Sequence, residues 1–183
     1  MKTASTGGVP KAGTRPTSDR VREAIFSTLD SWDLVRDSRV LDLYAGSGAL
    51  GLEGASRGAS SVVLVEKHPQ AAQVAQRNAR TVAAAFRGDA PEIEVARQSV
   101  QSYLEGADPL RPFDVALLDP PYDLGEVELA ACLAALTRLL AGGAAVMVER
   151  SSRSPEPVWP EGLERIREKR YGETALWWAE ITE

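Results

Sequence analysis

A chain of 183 residues, 44% hydrophobic and 26% charged, has the length and make-up of one soluble globular domain with a sizeable core. One cysteine, Cys132, and one histidine, His68, exclude an internal disulfide, a cysteine zinc cluster and a histidine-based triad or cage, so no metal is expected. The net charge of −5 divides into +4 over residues 1–22 and −9 over the remainder, a basic segment on an acidic body. The opening residues hold no signal-type apolar run, and nowhere do about 18 apolar residues run together, so the expectation is a cytoplasmic protein without a membrane partner.

Residues 1–14, rich in Gly, Thr, Ser and Lys, read as a flexible basic arm, and 15–183 as a single domain. Pro16 with Thr17 or Ser18 supplies a helix start, and Val21, Ala24, Ile25, Leu29 and Trp32 then share one helical face. From Val40 short apolar strands alternate with helices. Strands are expected at 40–45, 61–67, 93–99, 114–119 and 144–150. Helices are expected at 49–58 and 69–86, with a short turn after the third strand and a helix from Glu126 ending at Gly142-Gly143. This rhythm makes βαβ units and hence a parallel sheet covered on both faces. Residues 163–181 alternate polar and apolar across Gly172, the pattern of an antiparallel hairpin. The expected fold is α/β and Rossmann-like, with a mostly parallel seven-stranded sheet, helices on both faces and a C-terminal antiparallel hairpin.

The first strand runs directly into "DLYAGSGALGLE", where Gly46, Gly48 and Gly51 match G-x-G-x-x-G, and Glu66 ends the next strand twenty residues after Gly46. Glycines there let the backbone approach a ligand closely, and the acid can accept hydrogen bonds from ribose hydroxyls. The expected cofactor contacts are Asp42, Tyr44, Ala45, Gly46, Ser47, Gly48, Glu66 and Lys67. The glycine motif by itself does not choose between a dinucleotide and S-adenosylmethionine. Asp42, four residues before Gly46, favours a ligand carrying an ammonium and a sulfonium over one carrying a pyrophosphate.

The stretch "FDVALLDPPYD" points the same way. An exocyclic amine is a poor nucleophile because its lone pair is delocalised. Two acceptors gripping its N–H bonds can turn that lone pair toward a methyl group. The Asp119 carboxylate and the Pro120 carbonyl suit this, and Pro121 restricts the backbone so that the carbonyl is pre-aimed. Tyr122 offers a flat face for an extruded base. Asp119, Pro120, Pro121 and Tyr122 are therefore the expected catalytic residues of an amino-group methyltransferase.

"RPTSDRVREAIFSTL", "VLDLYAGSGALGLEGASRGA", "VVLVEK", "LLDPPYD" and "RYGETALWW" resemble the RsmD-type methyltransferases from about Gly13 onward. The resemblance implies a class I methyltransferase that moves a methyl group from S-adenosylmethionine to guanine N2 in small-subunit (16S) ribosomal RNA, as free RNA or as the assembling 30S subunit. Two departures stand out. "MKTASTGGVPKAGT" replaces the Arg/Gly-rich hairpin that opens many relatives. Arg97-Gln98-Ser99-Val100 replaces the segment whose Asp meets the adenine amine, leaving that task to Gln98 or Ser99. Lys11, Arg15, Thr17, Arg20 and Arg22 are the expected RNA contacts, with the methionine carboxylate of the cofactor as the alternative partner for the last four, and the enzyme is expected to act as a monomer. Cys132 and both Trp177 and Trp178 read as packing residues, the two tryptophans on opposite strand faces. The rivals are a methyltransferase acting on adenine N6 or protein glutamine, and a cofactor-binding assembly factor without catalysis. A dehydrogenase is disfavoured by the absence of an evident hydride-transfer partner.

Overall fold

The computed structural model describes residues 18–182. The expected arm of residues 1–14, with Lys11, lies outside them, as do Arg15 and Thr17. Helix α1 (Asp19–Ser31) opens at Ser18, whose Oγ accepts the Val21 N–H at 3.2 Å. Val21, Ile25, Phe26 and Leu29 recur at helical spacing and are all buried.

The chain then alternates through β1 (Arg39–Leu43), α2 (Ala49–Ser56), β2 (Ser61–Val65), α3 (Pro69–Ala84), β3 (Glu92–Ala96), α4 (Val100–Gly106), β4 (Phe113–Leu118), α5 (Glu126–Thr137) and β5 (Leu140–Ser151). It closes with β6 (Leu163–Tyr171) and β7 (Thr174–Ile181). One sheet holds all seven strands in the order β3-β2-β1-β4-β5-β7-β6. The pairs from β3 across to β5 are parallel, while β7 is antiparallel to both β5 and β6.

Each sheet face carries its own apolar core. Helices α1, α2 and α3 cover one face through Phe26, Leu52 and Ala75, which meet Val40, Leu64, Val115 and Met147. Helices α4 and α5 cover the other through Leu104, Leu129 and Leu133, which meet Leu41, Val63, Leu118 and Val148. Trp177 enters the second core and Trp178 the first, as strand alternation requires. Trp178 meets Trp32 edge-on, with ring centroids 5.1 Å apart. Among the described residues no helix is long and apolar enough to cross a membrane.

Several boundaries differ from the sequence reading: β1 stops at Leu43, β2 stops at Val65 so that Glu66 follows its strand instead of ending it, and β5 begins at Leu140. The third strand stops at Ala96, and Arg97 to Ser99 form an exposed loop. Helix α5 stops at Thr137 and does not reach the glycine pair. Leu139 is fully buried and its N–H donates to the Leu136 carbonyl, so the chain turns back there. Gly142 and Gly143 lie inside β5, where the pairing with β4 slips between Phe113–Leu140 and Val115–Ala145. Gly143 has φ +77°, a conformation that suits glycine and accommodates the slip.

The order of strands reverses between β1 and β4. In open α/β sheets a ligand crevice forms at the carboxyl ends of the strands beside that reversal. The two motifs singled out from sequence follow β1 and β4.

Candidate active site

The turn after β1 is built on left-handed backbone. Tyr44, Gly46 and Gly48 have φ of +61°, +57° and +85°. A Cβ on Gly46 would meet nothing within 4 Å, so the backbone angle alone calls for glycine there. Gly51 answers to crowding instead, since a Cβ would lie 2.4 Å from Leu64 Cδ2, where α2 rests on β2. Tyr44 holds its strained conformation through its hydroxyl, which hydrogen-bonds the buried Cys132 sulfur on α5. Burial raises the Tyr44 phenol above its ordinary range and the Cys132 thiol to about 11. Both are neutral packing partners rather than nucleophiles.

Asp42 faces inward. It is 1% exposed, and its Oδ2 accepts the Gly51 N–H at 2.9 Å, fixing the first turn of α2 against β1. Burial raises its carboxyl to about 8; the Gly51 bond opposes this, and the nearby Asp119 and Glu66 carboxylates add to it. Like Ala45, Gly46, Ser47 and Gly48, it is not among the residues that line the cavity described next, and its bond to Gly51 holds the loop. Asn78 on α3 supports the loop from the other side, its Nδ2 donating to the Ser47 carbonyl at 3.0 Å. Sequence reasoning passed over Asn78, one of four amide side chains on α3 with Gln70, Gln73 and Gln76, and nothing in the sequence set it apart.

A cavity of about 430 Å³ lies beside the loop, within the range typical of small-molecule sites. Tyr44, Glu66, Lys67, His68, Ser99 and Pro121 contribute to its wall, and Leu104 and Leu124 give it apolar surface. Glu66 presents its carboxylate there while accepting the Gly46 N–H at 2.8 Å and the His68 N–H at 3.0 Å. These bonds use one acceptor position on each oxygen and leave capacity for hydroxyl donors. A nucleoside with an apolar ring and a vicinal diol fits this donor and acceptor set. Ser99 faces the cavity and caps α4, its Oγ accepting the Ser102 N–H at 3.1 Å. Gln98 lines a different groove, of about 400 Å³, together with Arg39, Ser61 and Glu92. Of the two expected adenine-side residues, Ser99 lines the cavity and Gln98 the separate groove.

The loop after β4 separates this cavity from a smaller cleft. Pro121 lines the cavity, whereas Asp119, Pro120 and Tyr122 line a cleft of about 30 Å³ with Glu149, Arg150, Ser151, Ser154 and Thr174. Asp119 is half-buried, Pro120 buried, and Tyr122 is 57% exposed at the mouth. The Leu124 N–H donates to the Pro121 carbonyl and closes the turn. Arg150, at the end of β5, clamps the loop from beneath. Its side chain is 4% exposed, and Nη2 donates to the Leu124 carbonyl at 2.9 Å and to Glu126 at 2.7 Å. Sequence reasoning missed Arg150 because its partners are brought to it only by the stacking of α5 on β5.

Two expected RNA contacts are described. The Arg20 guanidinium lies 5.6 Å from the Tyr171 ring centre, with the Lys169 ammonium also at 5.6 Å. Arg22 is drawn to Asp19 at 2.7 Å and Glu53 at 4.0 Å. Arg20 thus joins the hairpin tip at the cleft side of the molecule, and Arg22 is engaged within its own helical layer.

A family model described as "Conserved hypothetical protein 95" matches residues 7–180. The ribosomal RNA small subunit methyltransferase D of Escherichia coli K12 is 35% identical over 163 residues, 89% of this chain and 77% of that protein. The hypothetical protein TTHA0928 of Thermus thermophilus superposes with a TM-score of 0.74 at 32% identity, over 95% of this chain and 92% of that one. An RNA methyltransferase of Salinibacter ruber, solved with S-adenosyl-L-homocysteine, shares the fold with a TM-score of 0.65 at 19% identity, covering 92% of this chain and 95% of that one. The family match takes in every strand of the sheet, and the chain belongs to that family, the RsmD-type methyltransferases.

Proposed function

We propose that this enzyme transfers a methyl group from S-adenosylmethionine to the exocyclic N2 of a guanine in small-subunit ribosomal RNA. The observation that carries the reading is the loop Asp119–Tyr122, a common wall between a nucleoside-sized cavity and a cleft for the acceptor. When bound, the cofactor supplies a methyl group on a sulfonium, whose C–S bond breaks as the new N–C bond forms and whose sulfur keeps the electron pair. Glu66 accepts the ribose hydroxyls, and Ser99 faces the adenine side. Asp119 and the Pro120 carbonyl accept the two N–H bonds of the amine and orient its lone pair toward the cavity. Asp119 takes the proton that the nitrogen loses. Tyr122, exposed at the mouth, stacks on the base, a contact worth roughly 1–3 kcal/mol. Lys11, Arg15, Thr17 and Arg20 serve as phosphate contacts on the way in, whether the substrate is free RNA or an assembling small subunit.

The test is to incubate the protein with methyl-labelled S-adenosylmethionine and small-subunit RNA, small subunits or total protein, and to digest labelled RNA to nucleosides. N2-methylguanosine is expected. Label in N6-methyladenosine or in protein moves the enzyme to another acceptor, and no label in any fraction removes the catalytic reading. Asp119→Ala should lower kcat on the order of 10²-fold or more with little change in KM, because its contribution grows as the amine loses its proton.

A further inference from the structure

We propose that Glu149 reads the base, its carboxylate accepting the ring N1–H of guanine beside the amine held by Asp119. The assignment rests on the guanine-N2 reading given above. Strands β4 and β5 are parallel, with Leu117 opposite Met147 and Leu118 opposite Val148. The next residues along are Asp119 and Glu149. Leu117 and Met147 both point into the core under α1 to α3, and Leu118 and Val148 into the core under α5. Strand alternation therefore sends Asp119 and Glu149 to the same side, the side of Leu117 and Met147. Neighbouring parallel strands are roughly 4.8 Å apart, and Asp119 and Glu149 line one cleft.

The cleft they share decides what can enter it. Its volume of about 30 Å³ admits one or two small groups and not a whole purine. A base lying on exposed Tyr122 would present only an edge. Glu149 is 8% exposed and lines the cleft together with Thr174, which is equally buried. At that depth a carboxylate distinguishes a donor from an acceptor far more sharply than it does in water.

The Watson–Crick edge of guanine carries adjacent donors, N1–H and N2–H₂. With the amine on Asp119 and the Pro120 carbonyl, N1–H is the neighbouring donor. Adenine presents its amine beside N1 as an acceptor, which would set a lone pair against the Glu149 carboxylate. One carboxylate thus holds the reacting amine and the other selects the base that carries it.

The test uses synthetic RNA containing the methylated position, once that guanine has been mapped by digestion. The target is supplied as guanine or as 2-aminopurine, which keeps the exocyclic amine but has an acceptor at N1. The wild-type enzyme should prefer guanine in kcat/KM by roughly 10–100-fold. Glu149→Gln, whose amide can donate to an acceptor, should erase or invert that preference while S-adenosylmethionine titration shows unchanged affinity. A wild-type enzyme that methylates both bases equally overturns the assignment without recourse to any variant. A Glu149→Gln enzyme that is slower yet keeps the wild-type preference shows a structural role and also overturns it. Methylation confined to another acceptor removes the guanine-N2 reading and this assignment together, so the two failures are distinguishable.

Discussion

At position 42 a carboxyl group has been closed off from water, and its proton is tied to the fold. Its pKa stands at about 8 in the folded protein against an ordinary 3.8. A carboxyl raised on folding lends its full support below the unfolded value and loses it as pH rises through the folded value. Stability of the cofactor-free protein should therefore fall between about pH 4 and about pH 8 through this residue. Asp42→Asn keeps an oxygen for the Gly51 N–H and cannot ionise. Thermal melts across that window should show a shallower decline for the variant than for the wild type, and equal slopes would assign the pH response elsewhere. The sequence showed an acid within the first strand but not its direction, because the inward turn depends on α2 packing across β1 nine residues later. Glu66 was easier to read, since strand length alone carries it to the same end of the sheet as Gly46. Ser99 and Gln98 could not be told apart, because periodicity ends with β3 and only the cap of α4 fixes which residue faces the cavity.

Among the elements, the turn from β4 into α5 holds the most chemistry, and a third element anchors it, through Arg150 on β5. Arg150→Met should release the Leu124 carbonyl and leave Glu126 without its partner, lowering unfolding free energy by about 1–3 kcal/mol in denaturant titrations. Turnover should fall while affinity for S-adenosylmethionine changes little, because the loop and not Glu66 is loosened. Equal losses in both would mean that Arg150 supports the whole site. The Gly142-Gly143 pair shows why the boundary of α5 was misplaced. Paired glycines commonly end helices, but here they serve a strand whose register against β4 slips, and pairing register is not written in one strand alone.

Across the whole molecule, alternating strands and helices made the parallel sheet legible, and polar–apolar alternation gave the final hairpin. The hairpin's placement was not legible, because either of its strands satisfies its own turn while only one can meet β5. The apolar run Ala175 to Ala179 decides it, being buried throughout, while β6 is mostly exposed at the sheet edge. Trp178 then joins β7 to α1 through Trp32. Trp178→Ala should cost about 3–5 kcal/mol, read as a lower denaturation midpoint, since it empties a fully enclosed site under α1. That same closure bears on how the chain is made. As the chain leaves the ribosome, β2, β3 and β4 each find a neighbour among strands already synthesised. Strand β5 emerges with one side paired and the other bare, carrying Val146 and Val148, until Thr174 to Ile181 follow a few seconds later at roughly 5–20 residues per second. Helix α1, the earliest described element to appear, waits far longer for Trp178. The nascent chain is thus most exposed to mispairing with its neighbours in the interval between β5 and β7, when the cofactor half of the sheet is already in place.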